Sequence, residues 1–459
     1  MSAALPAALA AAGVDVCVLL PGYQEVLAGA GATVELGRLF VLGHRVRLLA
    51  ARLPNGVPLW IVDCPSLYVR DGGGPYQTDA GPDWKDNALR FGVLSKVAAI
   101  LGCDASPVAW RPDVVHCNDW PTALAPVHLR FASGRRASTL LTIHNLAFQG
   151  VFPFPEAVPL ELPPQSFGVD GIEFYGRASF LKGGIVCAEA VNTVSPTYAR
   201  EIKTRDLGFG LDGALRALGD RLHGVLNGID TAIWDPETDP FIASNYGRAT
   251  LERKAPNKTK LRARMGLEFT SDRPLAGMVT RLTHQKGIDL VANAADALVE
   301  MGLQVAVVGS GEPELVDQLE AVARRHPENF AVFVGFDESL AHLVEAGADM
   351  FLMPSRFEPC GMNQMYSQRY GTPPVANATG GLVDTIADDA VLPTGFLMDE
   401  PTVAALVATV RRALAAYRDP TQWRAIQLNG MDRDFGWTRA AQEYLDIYRK
   451  INGVRLQFS

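Results

Sequence analysis

Short apolar runs alternate with longer stretches of helical period along most of the chain. In the first half the runs fall at 14–20, 59–64, 114–117, 139–143 and 190–194, and in the second half at 275–279, 304–308, 330–334, 350–353 and 374–376. They are rich in Val, Ile and Leu and lack the strict alternation of a half-exposed sheet. Such runs predict parallel strands covered on both faces. Helical patterns occupy 86–100, 287–301 and 312–325. Alternation of strand and helix predicts an α/β chain of doubly wound domains.

A polar, turn-rich stretch begins at Asn227, and a new helical pattern starts near Asn257. The hinge is therefore expected at 230–256, with a first domain over 1–240 and a second over 241–438. A last helical stretch, within 439–459, follows a Gly-Trp-Thr break and is expected to pack back on the first domain. The opening is unusual. A helix-like segment, 3–12, precedes the first apolar run. In doubly wound folds a strand and its glycine loop usually come first, and that loop touches ligand phosphates.

Composition narrows the classes. The chain has 459 residues, enough for two or three domains, and 48% hydrophobic with 20% charged residues is a globular mixture rather than a disordered one. Its net charge is −8, which excludes a broad basic face for nucleic acid but not a local pocket for a small phosphate ligand. Cys17, Cys64, Cys103, Cys117, Cys187 and Cys360 form no C-x-x-C pair. Neither a zinc site nor a disulfide framework is expected, and no metal or other cofactor. No apolar run reaches the ~20 residues of a membrane span. The first basic residue is Arg38, so the Ala-rich start lacks the charged region of a signal peptide. A cytoplasmic protein is expected.

Several strand-to-helix loops carry candidate chemistry. Arg281 and Lys286 lie just after the run at 275–279, at a strand's carboxyl end, where ligands bind in open α/β sheets. An Arg fork and a Lys point charge suit a diphosphate. Alone, the loop reads equally as a solvated basic turn. Glu358, in a Phe-Glu-Pro-Cys-Gly stretch, follows the run at 350–353, and a helix is expected from about Gly361. Its free amides would hold an anion, or the carboxylate would merely complement the helix dipole. Gly380 and Gly381 open another helix with the same logic. In the first half, Asp119 and His144 both follow strands. A lone strand-end His is more often structural than catalytic. Lys182 reads as a surface residue, and Asn227 as part of a turn. No serine-hydrolase elbow, Walker loop or H-E-x-x-H spacing occurs.

Taken together, these segments resemble the glycogen and starch synthases of glycosyltransferase family five. The matching stretches are VHCNDWPTAL (115–124), TIHNLAFQG (142–150), VNTVSPTYAREI (191–202), GFGLDGALR (208–216), VLNGID (225–230), TRLTHQKGIDL (280–290), SRFEPCGMNQMYSQRYGT (355–372) and TGGLVDTI (379–386). They run in order along nearly the whole chain. The resemblance implies the GT-B fold, two Rossmann-like domains with the active site in the cleft. It also implies retaining transfer of glucose from ADP-glucose to the non-reducing end of an α-1,4-glucan. By the same resemblance five residues are catalytic: Arg281 and Lys286 bind the donor diphosphate and stabilise the leaving group, Glu358 is required for activity near the donor sugar, His144 is the cleft histidine near the transferred glucose, and Asp119 is an acidic cleft residue. Asn227, Phe336, Cys360, Gly361, Met362, Asn363, Gly380 and Gly381 match donor-contacting positions. Tyr76 and Asn145 match the acceptor and sugar side. Phe336 stands where many members have an adenine-stacking tyrosine.

Tyr366, eight positions after Glu358, stands where sucrose- and trehalose-type relatives carry a second glutamate. A non-catalytic glucan-binding protein is the rival from another class, and the retained Arg281, Lys286, Glu358 and His144 argue against it. The family's opening strand and K-x-G-G-L loop have no match at the start of this sequence. A mis-assigned start is expected on that ground, with a 459-residue form that is unstable or nearly inactive. The choice of ADP- over UDP-glucose, the acceptor length and the oligomeric state stay open.

Overall fold

The computed structural model describes residues 4–79, 81–269, 273–389 and 391–456. Ala3 and the last three residues of the expected terminal helix stretch lie outside these. The chain divides into two compact units. One runs to Asn227 and resumes at Trp437; the other is Gly228–Gly436.

In the first unit, β1 (Val18–Pro21), β2 (Val34–Val41), β3 (His44–Arg52) and β4 (Pro58–Asp63) form a sheet of order β1-β4-β3-β2, parallel only between β1 and β4. The β2–β3 hairpin is absent from the sequence reading. Its two-residue turn uses Leu42 and Gly43, both at positive φ (49° and 81°), with Val41 paired to His44. Such turns usually advertise themselves with Asn-Gly or Asp-Gly; a leucine hides the signal.

Next come β5 (Val114–Asn118) and β6 (Ser138–Ile143), parallel and in register from Val114↔Ser138 to Asn118↔Thr142. Every residue of β6 is buried, as a strand covered on both faces requires. A small antiparallel sheet follows, of β7 (Val151–Phe152), β8 (Glu173–Phe174) and β9 (Arg177–Ser179). Then β10 (Ala190–Thr193) and β11 (Leu222–Gly224) complete a parallel sheet of order β11-β10-β6-β5. Among the described residues β1 and β5 each pair on one side only.

The terminal helix Trp437–Leu456 packs in this unit. Tyr444, Ile447 and Ile451 bury against Leu5 and Leu9 of the opening helix Ala4–Ala11. Polar contacts fix its register. Asn192 donates to the Tyr444 hydroxyl at 2.8 Å, and His116 Nδ1 meets the Tyr448 hydroxyl at 2.8 Å. Lys182, expected at the surface, is buried instead. Its ammonium donates to the carbonyls of Val169 and Glu173, which satisfies the charge without a carboxylate partner.

The second unit is a single six-stranded parallel sheet. Its strands are β12 (Leu275–Val279), β13 (Gln304–Gly309), β14 (Phe330–Val334), β15 (Met350–Met353), β16 (Pro374–Asn377) and β17 (Phe396–Met398). Their order, β14-β13-β12-β15-β16-β17, reverses direction between β12 and β15. That is the doubly wound order, and the reversal is its ligand-binding switch point.

Residues 228–240, which the sequence reading places in the first domain, belong to this unit. The reason is packing. The Trp234 ring lies between His342 (3.8 Å) and Tyr366 (3.9 Å), nearly parallel to both. Asp239 is buried, 2.7 Å from His342 Nδ1, and accepts the Tyr370 hydroxyl at 2.6 Å. Arg369 donates to the Trp234 carbonyl and to Asp235. A polar stretch reads as a linker in sequence, yet here it is strapped to the helix Asn363–Arg369.

Candidate active site

In the first unit, level strand ends bring Asp119 and His144 together. The Asp119 amide donates to the Thr142 carbonyl at 2.9 Å, and one Asp119 carboxylate oxygen accepts the His144 amide at 2.7 Å. The His144 ring meets the Asn118 side chain through Nε2 at 3.0 Å. Asp119 holds a positive φ of 55°, a region that side chains other than glycine occupy at a cost. Burial pushes its carboxyl up to about 7, against the pull of backbone amides from His144 and Asn145. Burial also lowers His144 to about 4, so its imidazole is neutral near pH 7. Tyr76 stands close by. Its ring packs 5.7 Å from Trp120, and burial, then the Asp119 charge, raise its hydroxyl. Asn145 turns its side-chain oxygen back to the Ala147 amide at 3.1 Å. Asn227 is buried, and its side-chain oxygen has no hydrogen-bond partner among the described residues. A buried orphan acceptor is costly and calls for a ligand donor.

In the second unit, the loops after β12 and β15 flank the switch point. They are stitched together. Arg356 forks onto Asp289 at 2.8 and 2.7 Å and donates to the His284 carbonyl, while its amide donates to the Gln285 carbonyl at 2.9 Å. Gly287 has φ 71°, and a Cβ there would lie 2.2 Å from the Pro354 carbonyl oxygen. Only glycine lets the two loops approach this closely.

The stitching places Lys286 against Glu358, ammonium to carboxylate at 2.5 Å, and the Ser355 hydroxyl donates to the same oxygen at 3.1 Å. Glu358 is buried. Arg281 is exposed, and no carboxylate among the described residues pairs with it. It lies in the same loop as Lys286, which among the described residues is ion-paired while Arg281 is not. The Thr379-Gly-Gly turn presses on the same loop. A Cβ on Gly380 would lie 1.9 Å from the Glu358 carbonyl oxygen, and one on Gly381 would lie 2.1 Å from that of Cys360.

The helix expected from Gly361 starts at Asn363. Gly361 sits at φ 70°, which is not helical, and Met362 precedes the first turn. The Asn363 side chain donates to the Val279 carbonyl, tying the helix start to the end of β12. Phe336, just past β14, is 85% exposed, a bare ring on the same sheet edge. Arg281, Lys286, Glu358, Cys360, Gly361, Met362, Asn363, Gly380 and Gly381 thus lie on the loops and first helical residues that follow the carboxyl ends of β12, β15 and β16. Sequence reasoning missed Ser355 and Arg356, whose roles depend on the fold bringing two loops together.

Among the described residues no group of three or more His, Cys, Asp or Glu side chains is placed to hold a metal ion. No helix there is long and apolar enough to cross a membrane.

Comparison with known proteins agrees with this anatomy. Residues 1–217 match the family model for the starch synthase catalytic domain, and residues 260–427 match that for glycosyl transferases group 1. A glycogen synthase of Aromatoleum aromaticum is 52% identical over 98% of this chain and 92% of its own length. One from Nitrosomonas eutropha is 49% identical over 98% of this chain and 91% of its own length. Among solved structures, the catalytic domain of starch synthase IV from Arabidopsis thaliana, bound to ADP and acarbose, superposes with a TM-score of 0.87. It is 30% identical, and the match covers 98% of this chain and 95% of that one. With about half its residues shared with such relatives along nearly its whole length, and with two Rossmann-like units of the GT-B class, the chain belongs to the glycogen synthase family of glycosyltransferases.

Proposed function

We propose that the chain transfers glucose from ADP-glucose to the non-reducing end of an α-1,4-glucan, with retention of configuration. The observation that carries this reading is the pair of cations at the switch point. Arg281 is unpaired among the described residues, and Lys286 is aimed by Glu358. A diphosphate placed there meets both. As the bond to glucose breaks, negative charge builds on the departing ADP, and the two side chains stabilise it more than they stabilise the intact donor. Each such preorganised group is worth about 10²–10³ in rate.

Glu358, held by Lys286 and Ser355, meets the donor sugar and offsets positive charge developing on it. His144, neutral near pH 7, directs its Nε2 proton to the Asn118 side-chain oxygen and so accepts a hydrogen bond from a sugar hydroxyl at Nδ1, without bringing a competing charge. Asp119 fixes the backbone under that ring. Asn227 supplies a ready acceptor to the donor, and Phe336 offers a face to adenine. No side chain is an evident nucleophile for a double displacement. The acceptor hydroxyl therefore attacks from the face the phosphate leaves, and a phosphate oxygen takes its proton. The acidic surface and the solvent-facing polar groups fit a cytoplasmic enzyme acting on dissolved polymer.

The test is transfer of labelled glucose from ADP-glucose to glycogen, with UDP-glucose run beside it. Transfer from ADP-glucose, lost in Lys286→Ala, supports the reading. Equal transfer by wild type and Lys286→Ala refutes the assigned chemistry.

A further inference from the structure

Tyr76 sits in a glycine-rich loop, 71–79, whose only apolar side chains are Pro75 and Tyr76 itself. With so little surface to bury, its backbone hydrogen bonds decide where it sits. Two of them are internal. The Gly73 amide donates to the Asp79 carboxylate at 2.7 Å, and the Gly74 amide to the Gln77 carbonyl at 2.8 Å. The carbonyls of Gly74, Pro75 and Tyr76 are tethered by the segment 84–90. The Trp84 indole donates to Gly74 at 3.0 Å, and the Trp84 amide to Tyr76 at 3.0 Å. The Asn87 side chain donates to the same Tyr76 carbonyl at 2.9 Å, and Arg90 Nη1 to the Pro75 carbonyl at 2.9 Å.

Arg90, on the helix Asn87–Leu101, is the hub of these tethers. It is 1% exposed, and no carboxylate among the described residues pairs with it. Asp86, whose charge reaches it, is held by Arg70. Instead Nη1 also donates to the Asn87 side-chain oxygen at 2.7 Å, and Nε donates to the Leu67 carbonyl at 2.9 Å. The guanidinium lies 5.9 Å from the centre of the Tyr23 ring and 5.5 Å from that of Phe91. One planar fork therefore joins the short helix Pro65–Tyr68, the helix start at Asn87 and the loop at Pro75. Burying a cation without a counter-ion costs desolvation, and an apolar side chain would fill the same space without that cost. What the cation gains is a fixed direction for three acceptors, which serves position more than stability.

The position it sets is that of Tyr76. The Tyr76 ring packs 5.6 Å from Phe91, the residue after Arg90, and 5.7 Å from Trp120, the residue after Asp119. Phe91 and Trp120 meet edge to face, with centroids 4.7 Å apart. One helix thus holds Tyr76 twice, its backbone through Arg90 and Asn87 and its ring through Phe91. The half-exposed ring is fixed beside the strand end that carries Asp119.

We propose that Arg90 is a positioning residue for the transfer reaction: its guanidinium locks the Pro75 carbonyl and the Asn87 side chain, and so fixes the Tyr76 ring against Trp120 beside Asp119. Buried as it is, Arg90 acts only through Tyr76. The proposal rests on the transfer reaction assigned above, with Tyr76 on its sugar side. Such positioning matters because a misplacement of about 1 Å, passed on from outside the reacting groups, costs up to about 10²-fold in rate. Lysine does not replace the arginine, since a point charge on a flexible stem cannot serve three acceptors in fixed directions.

The experiment uses the full chain, with Arg90→Met, Arg90→Lys, Tyr76→Ala and the double variant of Arg90→Met with Tyr76→Ala. Transfer from ADP-glucose to maltoheptaose gives kcat/KM, and hydrogen–deuterium exchange reads the loop 71–79 directly. The expected result is that Arg90→Met lowers kcat/KM about 10–100-fold, with Arg90→Lys between it and wild type. Exchange quickens in 71–79 and stays unchanged in β13. In the Tyr76→Ala background Arg90→Met changes kcat/KM by no more than about twofold, because the ring it positions is gone. A merely structural arginine would lower both backgrounds by the same factor, and that result overturns the proposal. So does an Arg90→Met variant whose loop exchanges as in wild type. If Arg90→Met does not fold, Arg90→Lys carries the same cycle. The two readings separate. If wild type transfers no glucose while the Arg90 variant still frees the loop, the anchoring stands and the transfer reading falls. If wild type transfers glucose and the Arg90 variant stays within about twofold of it, the transfer reading stands and the positioning role falls.

Discussion

At the ends of β5 and β6 the polar groups lean toward neutrality, whereas at the ends of β12 and β15 they are ionic. Burial raises Asp119 to about 7 and lowers His144 to about 4. In the second unit Lys286 meets Glu358 at 2.5 Å, with Arg281 exposed in the same loop as Lys286. Both regions use the same device, polar loops at the carboxyl ends of parallel strands. The difference lies in what each receives. A diphosphate has to be met by cations already in place. An uncharged sugar is better met by neutral hydrogen-bonding groups and by rings, and a charge left unpaired there would only cost desolvation.

The largest test of this contrast is Lys286→Ala. It removes a diphosphate contact and leaves Glu358 buried without its counter-ion. The turnover number should fall about 10²–10³-fold, and the thermal midpoint should drop with it, by scanning calorimetry. A variant as active as wild type would break the comparison at its ionic end. His144→Ala should cost less, about 10–100-fold in turnover, the range for a hydrogen bond whose sugar partner is left unsatisfied in a buried site. Its ADP affinity should be unchanged, since the loss falls on the sugar side.

A pH measurement sharpens the neutral end. In the unfolded chain Asp119 ionises near its ordinary value of 3.8, while in the folded chain it keeps its proton until about 7. The folded state therefore binds more protons between those values. Stability from this group is lost as pH rises through that window and is level above it. Denaturation midpoints from pH 4 to 8 should fall less steeply in Asp119→Asn than in wild type. Identical slopes would remove the raised carboxyl from the account. The smallest effect is expected at Phe336→Ala. Losing one exposed stacking face should raise KM for ADP-glucose about threefold, and Phe336→Tyr should restore it.

Much of this anatomy was legible in the chain. Each of the ten apolar runs holds a strand, the first only from Val18, because parallel strands of this kind carry an apolar signal even where, as in β14, their ends are exposed. The placement of Arg281, Lys286 and Glu358 at strand ends was legible because they directly follow such runs; their chemistry was not, since the same residues read equally as a solvated turn or a carboxylate complementing a helix dipole. The rest was hidden for identifiable reasons. The β2–β3 hairpin turns on Leu42-Gly43, an uncharacteristic pair for its conformation. The segment 228–240 is polar by composition, and its attachment depends on Trp234 meeting His342 and Tyr366, which are far away in sequence. Lys182 looked solvent-exposed because its carbonyl partners, Val169 in a turn and Glu173 at the start of the two-residue strand β8, carry no sequence signal.

The division of labour between the two regions is tested most directly by titrating ADP into wild type, Arg281→Ala and His144→Ala by calorimetry. The account predicts that Arg281→Ala weakens ADP binding about 10–100-fold, as loss of a charge-assisted phosphate contact should, while His144→Ala binds ADP as wild type does. An Arg281→Ala variant that holds ADP as tightly as wild type would contradict it.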